Sequence, residues 1–517
     1  MSLDADERLG LYDRTPDNLG DAISRADLDA VALIDIGAHG GPRTHSFRQL
    51  DDWSDAVARG LLARGLHCGN RIAIVSANRA EYLAAVLGAM RGGLVPVPVN
   101  IKLPPAGVQY IIRDSDAKLA LVDAERMDLC PQDVSRICFD GDGENTFAAL
   151  LSPGDFRAVR PEPRQPAMFL YTSGSTGQPK GVVLSHESHL WVLDKRRRSP
   201  QTERQRVLVA APLYHMNALC TSHAALAQGD SLVLLPKFTV NRYLDAIARY
   251  QCTSLTAVPT MLAMLLQQRE LLLATDLSPV RAIRMGSAPV STGLYQSIRD
   301  QFPGAQVTNV YGTTEAGPIG FGPHPNGLDT PPGSLGYPHP EVQFRLRGPQ
   351  DLAAQEGILE IKCPALMNEY HKLPDLTRTA LTPDGYYVTG DVFRRDENGF
   401  FYFVGRADDM FVCGGENIYP GEVERMLASH PAVQQACVVP VPDEIKWQKP
   451  VAFVVARPGA AVSEQELKQY TLLQGPAYQH PRRIWFLEEL PLTGTNKIDK
   501  HALSHLAAGL LKDRETA

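Results

Sequence analysis

From about residue 45 to 340, short apolar runs alternate with stretches whose apolar residues recur at helical spacing. Ile72-Ala73-Ile74-Val75, Leu94-Val95-Pro96-Val97 and Leu119-Ala120-Leu121-Val122 read as strands. Residues 81–90 put Leu83, Val86, Leu87 and Met90 on one helical face. Val207-Leu208-Val209, Leu232-Val233-Leu234-Leu235 and Ile283-Arg284-Met285 continue the series of strands, with helical stretches between them. Alternation of this kind predicts α/β layers with largely parallel sheets. Binding loops then belong at the carboxyl ends of strands. Loops 171–181, 212–217, 286–289 and 311–317 each follow an apolar run.

After about residue 335 the pattern changes. Phe344-Arg345-Leu346, residues 357–362, Tyr386-Tyr387-Val388 and residues 400–404 are short strands separated by Gly, Pro and Asp turns. They predict a small antiparallel β subdomain. Gly405-Arg406-Ala407-Asp408-Asp409 then opens a C-terminal unit of about a hundred residues, with mixed helices and strands. Residues 420–427 read as a helix, and 436–441 and 451–455 as strands. Ser463 with Glu466 predicts a capping box. The expected division is a large N-terminal domain over 1–407 and a small C-terminal α+β domain over 408–517.

Composition narrows the classes. The 517 residues exceed one compact core, and 44% hydrophobic with 21% charged residues is ordinary for a globular protein. A net charge of −7 argues against a general nucleic-acid binder. The basic run Lys195-Arg196-Arg197-Arg198 reads as a solvated helix end or loop, with a partner site as the competing reading. No apolar run is long enough to span a bilayer. The eight cysteines form no C-x-x-C pair, and the acidic N-terminus lacks a signal-peptide core, so a cytoplasmic location is expected.

The chemistry centres on Tyr171-Thr172-Ser173-Gly174-Ser175-Thr176-Gly177-Gln178-Pro179-Lys180-Gly181. An apolar run leads in, hydroxyls alternate with glycines, and a lysine closes. Glycine lets the backbone approach an anion; hydroxyls and N–H groups donate to phosphate oxygens; lysine adds charge. It is not a Walker loop, because Gly181 follows Lys180 where Ser or Thr is required. A Ser/Gly linker is the competing reading, and the flanking strands disfavour it.

This loop resembles the signature of the adenylate-forming enzymes: acyl- and aryl-CoA synthetases, firefly luciferase and the adenylation domains of peptide synthetases. The resemblance runs in order as far as Lys497. It implies activation of a carboxylate by ATP to an acyl-adenylate, then transfer to a thiol. It assigns Thr172, Ser173, Gly174, Ser175, Thr176, Gly177 and Lys180 to ATP phosphates. Gly286, Ser287, Ala288 and Pro289 resemble the small-residue turn along adenine. In Tyr311-Gly312-Thr313-Thr314-Glu315 the tyrosine is implied to stack on adenine, the threonines to reach phosphate, and Glu315 to hold Mg2+. Asp391 is the implied ribose ligand and Arg406 a second nucleotide contact. Asp408 falls at the hinge, and Lys497 at the catalytic lysine, with Thr172, His215 and Glu315 as further catalytic residues.

Asn496 stands where the common motif has glycine before the lysine; asparagine tolerates the left-handed backbone such a turn needs. Lys500 is a nearby alternative to Lys497. The acyl wall is expected from His215, Met216, Asn217, Val258, Met261, Gly286, Val310, Ala316 and Gly317, mostly apolar, for an aryl, alicyclic or medium-chain acid. Gly414 and Gly415, with Trp447, Arg482 and Arg483, are the expected CoA contacts. The expected partners are thus a small carboxylic acid, ATP and CoA; a homodimer stays open. Two rivals stand beside this reading: loading of a separate carrier protein, and non-catalytic nucleotide binding on the same fold.

Overall fold

A computed structural model describes residues 16–37, 41–173, 178–197, 203–288, 290–348, 354–413, 416–443, 447–494 and 496–515. The alternating pattern of the first half folds into two layered sheets. One has seven strands in the order Gln306–Val310, Ala282–Gly286, Ser254–Ala257, Arg206–Val209, Ser231–Leu234, Val31–Asp35, Arg43–Ser46. Its neighbours run parallel except for the last pair. The other is a four-stranded parallel sheet of Val95–Pro98, Arg71–Val75, Leu119–Val122 and Ser135–Cys138.

Helix Ala80–Arg91 is buried on every face. The expected apolar stripe is present, but the opposite face is Ala84, Ala85 and Gly88, small enough for helix Phe47–Ala63 to pack there. A Cβ on Gly88 would stand 2.5 Å from the Ser54 carbonyl oxygen, so the close approach requires glycine.

The glycine loop departs from the parallel scheme. Pro166–Ser173 and Pro179–Ser185 form an antiparallel hairpin around it, with Thr172 opposite Lys180. The apolar Val182-Val183-Leu184 returns beside the strand that led in. The two-residue strand Glu369–Tyr370 adds to its outer edge.

The expected antiparallel subdomain forms from Gln343–Arg347, Glu356–Lys362, Tyr387–Arg395 and Phe401–Arg406. The C-terminal unit is a five-stranded sheet with helices Pro420–Ala428, Glu464–Gln474 and Lys500–Glu515, and separate apolar clusters of its own. Ser463 Oγ accepts from the Glu466 N–H at 3.2 Å. The Glu466 carboxylate instead lies 3.7 Å from His430 Nε2, so only half of the capping box is made. Across the domain boundary, Arg425 donates to the carbonyls of Phe403 (2.9 Å) and Val404 (3.3 Å). No helix among the described residues is long and apolar enough to cross a membrane.

Candidate active site

The hairpin register sets the first half of the site. Tyr171 pairs with Gly181, where a Cβ would meet the tyrosine ring at 2.9 Å, so glycine is required there. The Tyr171 hydroxyl donates to Asp114 at 2.6 Å, which anchors the strand. Thr172 then carries a buried hydroxyl oxygen with no partner among the described residues. A buried hydroxyl left unpaired costs free energy, and a phosphate oxygen at the loop would satisfy it. Gly174, Ser175, Thr176 and Gly177, and the Ser173 side chain, lie outside the described residues.

Lys180 donates to Tyr370 Oη at 2.9 Å and sits 4.1 Å from that ring's centroid. Tyr370 Oη in turn donates to Glu315 Oε1 at 2.8 Å, and Lys180 Nζ is 3.7 Å from the same oxygen. The lysine, tyrosine and glutamate join the hairpin to loop 311–317. Tyr370 was missed in the sequence, because its two-residue strand is shorter than any periodic pattern.

The loop after strand Gln306–Val310 is held by backbone contacts. A Cβ on Gly312 would stand 2.7 Å from the Gly317 carbonyl oxygen, and Thr313 Oγ1 accepts from the Ala316 N–H at 3.0 Å. Tyr311 donates to Asp391 Oδ2 at 2.5 Å, and its ring meets Phe393 edge-on at 5.0 Å. Next to it, Gly286 ends its strand against Val310, where a Cβ would meet Cγ2 at 2.8 Å. Ser287 follows in the left-handed region, φ 69°. Pro289 lies outside the described residues.

Asp391 is opposite Arg406 in the ladder of Tyr387–Arg395 and Phe401–Arg406. Its other oxygen accepts from Arg406 Nη1 at 2.9 Å. Burial pushes the Asp391 carboxyl up, against the Arg406 charge. Each carboxylate oxygen has two lone pairs, so both retain capacity for a ribose hydroxyl. Arg406 also holds Asp408 through Nε (2.9 Å) and Nη2 (3.1 Å). Burial works to lower the guanidinium pKa, and the bonds to Asp408 together with the Asp391 charge raise it.

The small domain supplies the last cation. Loop 492–498 closes with Thr493 N–H donating to the Lys497 carbonyl at 2.7 Å, and Asn496 takes φ 59° as the sequence predicts. Gly494 packs on Lys102 of the large domain; a Cβ there would meet the Lys102 Cβ at 2.8 Å. This docking sets Lys497 where surrounding protein lowers its pKa, the Asp391 charge opposes that, and Arg406 adds to it. The residue nevertheless remains open to solvent. Lys500 is engaged elsewhere, 3.0 Å from Asp409 and 3.8 Å from Glu424.

The AMP-binding enzyme family matches residues 21–371, and the AMP-binding enzyme C-terminal domain matches 422–497. The chain belongs to the AMP-binding enzyme family. It is 32% identical to a sulfoacetate–CoA ligase of Cupriavidus necator, over 88% of this chain and 91% of that one. It is 31% identical to the fatty acid–[acyl-carrier-protein] ligase ScoC of Streptomyces coeruleorubidus, over 89% and 91%. The anthranilate CoA ligase AuaEII, solved with anthranoyl-AMP, superposes with a TM-score of 0.86 at 25% identity, over 98% of this chain and 100% of that one. This AMP-binding enzyme is an AMP-forming acid–thiol ligase with an α/β large domain and a small C-terminal domain.

In this AMP-binding enzyme His215 caps helix Met216–Gln228, and its ring packs on Tyr214 at 4.6 Å. Burial lowers its pKa to about 4, with Lys497 and Lys102 pushing the same way, so the imidazole is neutral. Its Nε2 is buried without a partner among the described residues. Below Tyr311 opens a cavity of about 930 Å3 between helix Met216–Gln228 and the strand face of Ala282–Gly286 and Gln306–Val310. Of the residues read as acyl wall, Val310 lines it; Val258 and Met261 are packed in the apolar cluster behind the sheet, and Ala316 is buried in the large-domain core. Gly317 supports loop 311–317, with φ 72°. The wall is also more polar than the expected one, with Thr221, Gln228, Thr308, Arg196 and Arg284. Arg196 therefore departs from the solvated helix end read in the sequence, whereas Lys195 pairs with Glu341 and Arg197 with Asp194.

On the small domain, Trp447 pairs with Cys413, which places its strand beside the start of 414–415. Gly414 and Gly415 and the Trp447 side chain lie outside the described residues. Arg483 is 3.9 Å from Glu464, and Arg482 contacts His480 at 2.5 Å.

Magnesium suits Glu315 in one mode only. Among the described residues no group of three His, Cys, Asp or Glu is built to cage an ion. A single buried carboxylate beside a phosphate loop fits an ion that keeps waters and takes its other ligands from ATP.

Proposed function

We propose that this AMP-binding enzyme activates a carboxylic acid with ATP, releasing pyrophosphate, and transfers the acyl group to CoA, releasing AMP. The observation that carries the reading is the position of Lys497, brought by the small domain to where Asp391, Arg406 and His215 converge. In the first step a carboxylate attacks the α-phosphorus. Both partners are anions, and charge grows on the phosphoryl oxygens and the departing pyrophosphate. The attacking group is already ionised, so no base is required. Positioning and electrostatic stabilisation supply the catalysis. Lys497 lies across both anions and provides both. Thr172 and Lys180 hold phosphate oxygens, and neutral His215 orients the carboxylate without competing for its charge. Magnesium, when bound on Glu315, neutralises part of the phosphate charge.

The second step needs CoA sulfur at the acyl carbon, where the Lys497 loop stands. Asp408 grips Arg406 of the large domain, while its neighbour Asp409 grips Lys500 of the small one. Rotation between these two residues releases one contact and keeps the other. It carries Lys497 out and Gly414, Gly415 and Trp447 in, with Arg482 and Arg483 toward the CoA nucleotide. Carrier-protein loading is the second reading of the acceptor, since the similar ScoC ligase is named for it. The cavity's apolar residues, Val207, Ala224, Ala225 and Ile319, suit an aryl, alicyclic or medium-chain body. The eight free cysteines suit a reducing cytoplasm.

Pyrophosphate release across a panel of acids, with and without CoA, tests this. Acid-dependent release followed by CoA-dependent AMP formation is expected. ATP binding without acid-dependent release refutes the ligase reading, and turnover that ignores CoA but acylates a carrier protein transfers it to the second acceptor.

A further inference from the structure

Four basic side chains line the cavity below Tyr311; Lys195 pairs with Glu341 and Arg299 is exposed, which leaves two cations, Arg196 and Arg284, that neither solvent exposure nor the adenylation chemistry explains. Arg196 caps the end of helix His186–Lys195, and Arg284 lies mid-way along strand Ala282–Gly286. Both line the cavity. Strand periodicity explains the second. Ile283 and Met285 are fully buried in the cluster behind the sheet, so Ala282, Arg284 and Gly286 share the opposite face.

Among the described residues neither guanidinium has a carboxylate partner, and Arg196 Nε is buried with no hydrogen-bond partner. Asp230 is the one carboxylate in the lining. It accepts from the Gln205 N–H at 2.7 Å, and no ion pair joins it to either arginine. Burial lowers the Arg284 pKa to about 10, and the Arg196 charge adds to the shift. Burial lowers Arg196 as well. Two neighbouring desolvated cations without counter-charge are costly to keep in a wall, and the cost is offset where a ligand supplies the anion.

Their place in the cavity says which part of a ligand that is. Gly286 ends the strand against Val310, one residue before Tyr311 at the nucleotide turn. Arg284 is two residues deeper on the same face, ~6.6 Å along an extended strand. An acid whose carboxylate reacts at the Gly286 end has its far end toward the arginines.

We infer that the acid activated here carries a second anionic group, carboxylate or sulfonate, at the end away from the reacting carboxyl, and that Arg196 and Arg284 receive it. The guanidinium fork matches the paired oxygens of either group. The inference rests on the ligase reading and specifies its substrate class.

The test compares diacids from malonate to adipate, and the matching ω-sulfonates, with monomethyl esters of the same diacids. The esters keep length and lose the distal charge. Pyrophosphate release is followed in wild type, Arg284→Met and Arg196→Met. At one chain length the charged acid should exceed its ester by on the order of 100-fold in kcat/KM, mostly through KM, and either substitution should pull that ratio toward one. Diacid and sulfonate arms show which anion fits. Thermal melts without ligand check the fold, and each variant should melt at or above wild type, because an unpaired cation has been removed. Esters turned over better than diacids, or a ratio unchanged in both variants, would overturn the inference and leave the ligase reading intact. Calorimetry separates the converse. Diacid binding to wild type but not to the variants, with no pyrophosphate released from any acid, would keep the anion site and sink the ligase.

Discussion

Replacing Lys497 with alanine removes a side chain whose ammonium makes no ion pair with any described residue. Its loop is held by the backbone instead, through the Thr493 N–H to the Lys497 carbonyl and the Lys497 N–H to Thr493 Oγ1 at 3.3 Å. Truncation thus orphans no partner, and unfolding stability should stay within about 0.5 kcal/mol of wild type. The cost falls on the transition state. Losing one preorganised donor to developing charge costs about 3–4 kcal/mol, two to three decades in rate. Lys500→Ala is the control. It strips Asp409 and Glu424 of a half-exposed cation, so about 1 kcal/mol of stability is lost while adenylation continues.

The assay is acid-dependent exchange of labelled pyrophosphate into ATP, beside thiolysis of synthetic acyl-AMP by CoA. Exchange should collapse in Lys497→Ala, and thiolysis should survive, because the loop has left the site in that step. Wild-type exchange should also fall on the alkaline side earlier than an ordinary lysine dictates. Burial lowers this pKa, and the charged form, lost as pH rises through it, is the active one. Exchange retained within about tenfold in Lys497→Ala, with loss in Lys500→Ala instead, would refute the assignment.

Tyr370→Phe removes both the acceptor for Lys180 and the donor to Glu315, and should raise the KM for ATP and the magnesium requirement about tenfold with little change in melting temperature; titrations of each measure it, and unchanged values would make Tyr370 mere packing. Asp408→Pro frees Arg406 and stiffens the boundary, so adenylation should persist while thioester formation falls; equal loss in the two half-reactions would count against the hinge. His186, His189 and His223 are buried, and burial lowers their pKa values to about 4, 3 and 4. The unfolded chain binds their protons first, so stability present above pH ~6.5 should drain away as pH falls toward 4, by up to ~1.4 kcal/mol per pH unit for each histidine. Urea midpoints across that range should show it, and His223→Leu should flatten the slope by one histidine's share.

The parts of this enzyme that were legible in the sequence are those with local causes. Strands from Ile72 to Met285 announced themselves by apolar runs, and the antiparallel group from Phe344 to Val404 by its turns. Asn496 announced a left-handed turn because few other residues tolerate one. The antiparallel pairing of the hairpin around Thr172 was not legible, since pairing direction is a long-range property that an apolar run does not carry. Tyr370 and Lys102 act through contacts between segments far apart in the chain. Arg284 had a signal: one arginine within Ile-Arg-Met, placed by a period of two opposite its apolar neighbours. What it faced required the helix after His215 and the loop beyond Tyr311, which only the fold assembles.

The closed arrangement itself carries an electrostatic argument. Docking sets Lys497 beside Arg406, with Asp391 the counter-charge acting on both, and Lys102 close by at His215. Other described contacts across the boundary are few: Asp408 on Arg406, Arg425 to two carbonyls, Gly494 on Lys102, and Gly293 beside Ala428 and Arg457. Such hydrogen bonds are worth about 1 kcal/mol each, which suits a lobe that must leave. Without nucleotide the cations repel, and ATP reverses the balance by bringing several negative charges between them. Salt screens both regimes with opposite sign. As a hypothesis, added salt should favour closure in the empty enzyme and oppose it in the ATP complex. Fluorescent labels on the two lobes, read by energy transfer at low and high ionic strength, measure the change. The same sign in both states would mean that closure is governed by packing at the boundary rather than by charge on the nucleotide.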